Sequence, residues 1–274
     1  SSPGWRALTK PAALAVYERD GRRVVLDQIL WDVSLGKEKN RCKRIGTTLL
    51  TNLGARREED LDLGIRTLAF VDLKTQVNRG YVDEEKGDGQ GGWTDEGPKL
   101  DMRFFPVNLV GTDRNGLGCP KDTFPEFSTM GGCEFKLINP ETNDGKSCLV
   151  IDAESKHPVS IPVDQTAEAL WFLHAADIGR NVSSAPDVAK VSAKYTDGTT
   201  ADLTLRNRKH LVDWRGDLSP TLGEIAWRGY CIQHDPTVVC TYRWENPHPE
   251  KTICHLKITG IQGLYILIGL TLEK

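Results

Sequence analysis

The stretch Val-Ala-Lys-Val-Ser-Ala-Lys-Tyr at Val188–Tyr195 decides the fold class of this chain. Apolar and polar side chains alternate along it, as expected for a β-strand with one face in a core and the other in water. Asp197-Gly198 follows, and this dipeptide favours a tight hairpin turn. Because the next run, Ala201–Leu205, alternates in the same way, the sequence predicts an antiparallel pair of strands here.

Short apolar runs of similar length recur on both sides of this hairpin. Turn signals such as Asn143-Asp144-Gly145 and Asn246-Pro247 separate them. The predicted strands are Leu68–Leu73, Ser147–Ile151, Val159–Val163, Ala169–Leu173, Val188–Tyr195, Ala201–Leu205, Glu224–Trp227, Val238–Trp244, Ile253–Ile258 and Tyr265–Leu272. This rhythm predicts a mainly β fold, an antiparallel β-sandwich of the jelly-roll type.

A segment of different character comes before these strands. Arg22–Trp31 is apolar and predicts a strand, whereas Glu38–Leu53 has apolar residues at helical spacing and Gly54 ends that helix. The charged run at 55–62 is typical of a linker. We therefore predict a short αβ segment at residues 1–60 and a β-sandwich domain at residues 61–274.

Composition limits the classes of function. The 274 residues carry 35 basic and 38 acidic side chains, well mixed, with a net charge of -3. They create no one-signed field, so neither nucleic acid nor a membrane is an expected partner. The seven cysteines include no Cys-x-x-Cys pair, which disfavours a zinc ribbon or a full disulfide framework. A bridge between Cys119 and Cys133, or between Cys231 and Cys240, remains open.

Residues 78 to 133 interrupt the strand pattern. They are rich in Gly, Asp and Pro, yet they also contain Trp93, Phe104, Phe105 and Phe124. A long irregular stretch inside a compact domain is usually either functional or disordered. Because these aromatic residues provide apolar anchors, we predict ordered loops that pack on the sandwich.

Part of this segment carries a resemblance. Gly91–Pro106, with the sequence Gly-Gly-Trp-Thr-Asp-Glu-Gly-Pro-Lys-Leu-Asp-Met-Arg-Phe-Phe-Pro, resembles a β-sandwich domain found at the C-terminal ends of large bacterial glycoside hydrolases and related secreted proteins that act on polysaccharides. The similarity continues in Asn143–Cys148, Ala169–Ala176, Tyr195–Gly198, Asp213-Trp214, Ala226-Trp227 and Trp244–Pro247. It covers roughly residues 65 to 274, with a departure between Gly111 and Gly132.

The resemblance implies a non-catalytic module that binds carbohydrate. Its expected partners are a polysaccharide or oligosaccharide and the catalytic domain of the same parent chain, and its expected location is extracellular or periplasmic. Val24–Trp31 and Thr48–Gly54 are similar to the end of an amidotransferase-like domain that precedes such modules. Residues 1–60 would then be the tail of a neighbouring domain.

Protein sites for sugars commonly combine an aromatic face with polar side chains that replace water at the hydroxyl groups. Trp93 and Trp214 lie among polar neighbours, so each is either an exposed platform or an anchor that pins its loop. Trp244 begins Trp-Glu-Asn-Pro, where Asn246 either binds a sugar or caps a turn. The candidate carbohydrate-binding residues are Trp93, Asp95, Asp101, Arg103, Trp214, Trp244 and Asn246.

The acidic loop around residues 83 to 101 suggests calcium, because hard cations take several oxygen ligands from a folded loop. The alternative is a solvated acidic surface with Arg79 and Arg103 as ion-pair partners. Asp101 and Arg103 share a face of an extended segment, so we also expect them to form a structural pair. No cofactor is required, and the candidate ligands of a structural calcium are Asp88, Asp95 and Glu96.

An enzymatic alternative is weaker, because the chain contains no nucleophile elbow, phosphate loop or zinc-binding histidine motif. No carboxylate pair is singled out for glycoside hydrolysis, and no catalytic residue is predicted. Trp171 and His174 lie in an apolar strand and are predicted to be structural. Two alternatives to carbohydrate binding remain: a purely structural module between domains, and a glycoside hydrolase or polysaccharide lyase.

Overall fold

The computed structural model describes residues 67–106, 124–155, 157–179, 185–216, 218–234 and 236–274, and the backbone of three strands nearer the N-terminus. The chain divides into two compact units, Ser1–Leu63 and Gly64–Lys274. In the first unit, Trp5–Ala7 (β1), Leu14–Arg19 (β2) and Arg22–Asp27 (β3) form an antiparallel sheet in that order. The helix predicted at Glu38–Leu53 lies outside the described residues.

The second unit is built almost entirely of strands. They are Leu68–Phe70 (β4), Phe127–Met130 (β5), Cys133–Lys136 (β6), Leu149–Asp152 (β7), Val159–Gln165 (β8), Ala169–Asp177 (β9), Asp187–Tyr195 (β10), Thr200–Arg206 (β11), Glu224–Gly229 (β12), Thr237–Glu245 (β13), Ile253–Gly260 (β14) and Leu264–Glu273 (β15). Each predicted strand has a counterpart among these, so the mainly β, antiparallel fold class is confirmed. The jelly-roll connectivity stays a prediction.

Helical structure is limited in the described part of the chain to the short 3₁₀ turns Pro140–Thr142 and Ala153–Ser155. No described helix has the length and apolar character needed to cross a membrane. The disulfide considered between Cys231 and Cys240 does not form, because both thiols are free and buried. Cys119, the other candidate partner named above, lies outside the described residues.

Two antiparallel sheets form the sandwich. The first sheet has the strand order β11-β10-β14-β8, and the second has the order β12-β13-β9-β15-β4. β15 pairs with β9 along its length and with β7 and β4 through its first and last residues. The register shifts between Leu267 and Gly269 of β15. Such a bulge changes which side chains face each side of the sheet.

The first hydrophobic core lies between the two sheets. The first sheet contributes side chains such as Ile161, Val191 and Leu256, and the second contributes Phe172 and Leu267, all fully buried. Lys190 and Lys194 of β10 are exposed while the residues between and beside them are largely buried. The alternation in the sequence thus correctly predicted which face of this strand meets the core.

A second core covers the opposite face of the second sheet. Alternate residues of β9 divide between the two cores: Phe172 belongs to the first, and Leu173 and Ala175 belong to the second. The loop segment 78–106 and the β5–β6 hairpin together contribute about half of the remaining buried side chains. Gly131 allows the hairpin to pack closely, since its φ is +59° and a Cβ there would overlap the methyl group of Thr241. The described loops are therefore ordered and packed, as predicted.

Candidate functional site

The predicted indole platforms are buried. Trp93 and Trp214 are 1% and 0% exposed, and their rings contact each other edge to face with centroids 5.6 Å apart. Trp244 is 7% exposed and packs in the first core. An indole buries a large apolar area when it folds back onto a sheet, and the glycine-rich loop permits this for Trp93. Of the two alternatives, these rings are loop and core anchors and not exposed platforms.

Asn246 caps a turn. Its Oδ1 accepts hydrogen bonds from Tyr195 Oη at 2.5 Å and from His248 N at 3.1 Å, and its Nδ2 donates to Ala167 O at 2.7 Å. The side chain is buried, and these partners occupy both ends of the amide. Asn246 therefore takes the turn-capping alternative and does not offer a free amide to a sugar.

Asp101 and Arg103 form the structural pair expected from their spacing. Arg103 Nε lies 3.0 Å from both Asp101 carboxylate oxygens, and Arg103 Nη2 lies 2.8 Å from Oδ2. Both side chains are almost fully buried. Burial raises the pKa of Asp101, although the hydrogen bonds from Arg103 oppose that shift. Asp101 also accepts a hydrogen bond from Asp83 N. The buried pair therefore holds the two ends of the acidic loop together.

A second ionic cluster ties the loop to the sandwich. Arg215 contacts Asp177 at the end of β9, and its Nη1 lies 3.2 Å from Glu96 Oε2. Trp214 Nε1 donates to Asp177 Oδ2 at 3.1 Å, and the Arg215 guanidinium lies 5.4 Å from the Trp214 ring centroid. Burial raises the pKa of nearby Asp213. Glu96 is thus committed to an ion pair with Arg215, which explains its absence from the acidic cluster described next.

Asp83, Asp88 and Asp95 bring carboxylate oxygens within 4.8 Å of one another. Each also accepts hydrogen bonds from backbone N–H groups of the same loop; Gly87 and Gly89, for example, donate to Asp95 at 2.9 and 3.0 Å. An all-carboxylate set suits a hard cation such as calcium. The structure therefore gathers two of the predicted ligands with Asp83 in place of Glu96, and bound calcium stays a prediction.

A cleft of about 440 Å³ opens beside Trp93. The segment after β4, the end of β7, the Ala153–Ser155 turn and the residues leading into β8 line it. Its polar side chains are Asn78, Arg79, Asp95, Asp152, Ser155 and His157. The cleft unites two residues predicted from sequence, Trp93 and Asp95, with a group more than fifty positions further along the chain.

Some of these polar groups are already occupied. The Asn78 amide makes two hydrogen bonds to the backbone of Val150, at 2.9 and 2.8 Å, and Arg79 Nη1 donates to Gln90 O at 2.8 Å. Asp152 and His157 are exposed in the cleft and retain atoms able to bond a ligand. The sequence did not point to these two residues because they belong to no motif, and only the fold brings them into the same cleft as Arg79.

Besides the calcium candidate, carboxylates in the described part of the chain gather around Arg243, where Glu245 and Glu273 pair with the guanidinium, around Arg215 and along the cleft. Asp177, Asp213 and Glu96 surround Arg215, where charge neutralisation accounts for them, and Asp95 and Asp152 line the cleft.

Comparison with protein-family profiles, with curated proteins and with solved structures finds no match to this chain. The cleft is therefore the feature on which a functional proposal can be based.

Proposed function

We propose that residues 64–274 act as a non-catalytic carbohydrate-binding module of a polysaccharide-degrading enzyme, with the sugar in the cleft beside Trp93. The cleft is the observation that carries this proposal. Its volume of about 440 Å³ lies within the range of small-molecule sites, which enclose ligands of about the mass of a disaccharide. A carboxylate, an imidazole and a guanidinium on its walls can replace water at sugar hydroxyl groups.

The proposed mechanism is targeting. A module that holds its parent enzyme on a polymeric glycan raises the effective concentration of substrate at the catalytic domain without chemistry of its own. Exposed carboxylates such as Asp152 accept hydrogen bonds from hydroxyl groups, and the N–H groups of Arg79 that do not bond Gln90 O can donate to them. The parent enzyme, its secretion and its polysaccharide substrate belong to the same proposal.

The test is a glycan array followed by affinity electrophoresis on the hits, with Asp152→Ala and His157→Ala beside wild type. Both side chains are exposed, so neither substitution threatens the fold. We expect Asp152→Ala to weaken binding about tenfold, because hydrogen bonds to charged groups contribute about 1.5 kcal/mol or more, and His157→Ala to weaken it several-fold through loss of one hydrogen bond. Glu168→Ala, also exposed and outside the cleft, is the matched control and should bind as wild type does.

A structural module between domains is the second candidate, and the burial of Trp93 and Trp214 favours it. It predicts that folded protein binds no glycan in either assay. A glycan that binds wild type and the two cleft variants equally would also contradict the proposed site. Release of reducing sugar from a bound polysaccharide would replace the non-catalytic assignment with the hydrolase or lyase alternative.

A further inference from the structure

A group of polar and aromatic side chains lies at the edge of the second core, on the face of the second sheet that this core covers. None of these side chains lines the cleft. Arg243 of β13 is the cross-strand partner of Trp171 on β9, and Trp171 is in turn the partner of Thr271 on β15. Two residues further along β13 and β15, Glu245 and Glu273 are both cross-strand partners of Ala169. Because side chains two positions apart share a face of a sheet, these groups face the same way.

The ring of Trp171 is held by a chain of hydrogen bonds. Its Nε1 donates to Glu273 Oε2 at 2.8 Å, and Arg243 binds the same carboxylate through Nε at 2.9 Å and Nη2 at 3.0 Å. Arg243 Nη1 then donates to Glu245 Oε1 at 3.2 Å. A bidentate arginine fixes a carboxylate in position as well as binding it. The indole is thereby oriented before any ligand arrives.

The exposed fraction of the side chains rises along this series of hydrogen bonds. The Glu273 side chain is 9% exposed, Arg243 is 30% exposed and Glu245 is 86% exposed. Trp171 is half-buried at the edge of the second core, whereas the other described tryptophans are buried. The sequence placed Trp171 in the core and left Trp93 and Trp214 open between exposed platforms and loop anchors. Trp171 is therefore the least buried of the indoles whose side chains the structure describes.

We infer that Trp171, Arg243 and Glu245 form a second sugar-contacting surface, which binds an uncharged pyranose unit. The inference rests on the proposed function and adds a second contact for the same polysaccharide. An indole covers the C–H side of a sugar ring, the oriented guanidinium donates to its hydroxyl groups and the exposed carboxylate accepts from them. Two carboxylates surround the one guanidinium, so a uronate or sulfated sugar is disfavoured.

Titration calorimetry with a soluble oligosaccharide that the array identifies tests this surface. Wild type should bind two molecules, and Glu245→Ala and Trp171→Ala should each lower the stoichiometry to one. Affinity for the long polymer should fall about tenfold in these variants, because a second linked contact is lost. Glu168→Ala is again the matched control, and Asp152→Ala should weaken binding at the cleft about tenfold while sparing this surface.

The outcomes separate the two claims. If neither wild type nor any of the variants binds the oligosaccharide, the proposed function is overturned. If wild type has one site, and Asp152→Ala weakens it while Glu245→Ala does not affect it, this inference is overturned and the cleft assignment stands. If light scattering instead shows a wild-type dimer that Glu245→Lys converts to a monomer, the surface is a protein interface and the sugar assignment is wrong.

A second readout does not depend on the stability of any variant. Oxidation of wild-type protein by N-bromosuccinimide, followed by peptide mass spectrometry, should modify Trp171 before Trp93 and Trp214, because the latter two are sealed. Oligosaccharide at a concentration that occupies about 90% of the site should slow oxidation of Trp171 by up to about tenfold. An unchanged rate under conditions in which calorimetry shows saturation would overturn the inference.

Discussion

Trp93 and Trp214 meet edge to face with ring centroids 5.6 Å apart, and the residues beside them are also joined. Glu96, three positions after Trp93, lies 3.2 Å from the guanidinium of Arg215, the residue that follows Trp214. An aromatic contact and an ion pair therefore hold the same two segments together. The glycine-rich loop is attached to the sandwich by its own tryptophan, so a variant of that tryptophan changes stability before it changes binding.

Replacement of Trp214 by Ala should lower the free energy of unfolding by about 3 to 5 kcal/mol, the range for removal of a buried aromatic side chain. The ring is fully buried, and its Nε1 also supplies a hydrogen bond to Asp177. Urea denaturation followed by circular dichroism measures the change. Trp171→Ala is the comparison and should cost less, because Trp171 is half-buried. A loss below about 1 kcal/mol for Trp214→Ala would contradict the anchoring role.

Asp177→Ala should cost about 3 kcal/mol, because it leaves a mostly buried guanidinium without its close partner. The side chains of Arg215 and Asp177 are only 11% and 13% exposed. Asp202→Ala breaks the exposed pair with Lys190, whose side chains are 49% and 47% exposed, and should cost less than about 1 kcal/mol. Equal losses in the two variants would show that the Arg215 cluster is not effectively buried.

Stability should fall as the pH drops below about 6.5, and His174 is a main cause. Burial lowers the pKa of His174 to about 3 and that of His210 to about 4, from an ordinary value of 6.5. At pH values between these lowered pKa values and 6.5, the unfolded chain binds protons at the two histidines that the folded chain does not bind. By pH 5 each histidine should therefore have removed about 2 kcal/mol from the free energy of unfolding.

His174→Gln isolates this contribution. The imidazole contacts the rings of Phe172 and Tyr265, with Nδ1 3.2 Å from Tyr265 Oη, and His210 also acts on its pKa. The variant should lose about half of the pH-dependent change between pH 6.5 and 5. The raised pKa values of Asp101 and Asp213 have the opposite effect, because they increase the free energy of unfolding as the pH falls. The contribution of His174 is therefore measured by comparing the variant with wild type and not from the wild-type curve alone. Phe172→Leu, which destabilises the same core without removing a titrating group, should keep the wild-type pH dependence.

The sequence predicts strands well where one face is wet. Val188–Tyr195 alternates because the first sheet has one solvated face, and the structure has the same pattern. Ala169–Asp177 is apolar on both faces because a core lies on each side of the second sheet. The strands Phe127–Met130 and Cys133–Lys136 were missed, since they form an isolated hairpin next to a Gly-Pro-rich stretch.

The site was harder to predict, because the polarity of neighbours in the chain does not reveal what packs over a side chain. Trp93 has polar neighbours yet is sealed by a contact with Trp214, 121 positions away. Trp171 has apolar neighbours yet is only partly buried, at the edge of the second core. Asp101 and Arg103 were predictable as a pair, because two positions in an extended segment fix their geometry without tertiary information.

Calcium binding by Asp83, Asp88 and Asp95 makes a prediction with a definite sign. The three carboxylates are close enough to repel one another, so Asp88→Asn should stabilise the protein in EDTA. The asparagine Oδ1 can still accept the hydrogen bond from Gln90 N, so the loop is kept. In millimolar calcium the same substitution removes a charged ligand and should make the protein less stable than wild type.

Differential scanning fluorimetry in EDTA, calcium and magnesium measures both signs. A calcium concentration of 100 Kd should stabilise wild type by about 2.7 kcal/mol through mass action, while Asp88→Asn should gain far less. Glu85→Gln removes a charge from the same exposed loop outside the cluster and should respond to calcium as wild type does. If the melting temperature of wild type is the same in EDTA and calcium, the carboxylates serve only to accept the loop's backbone N–H groups.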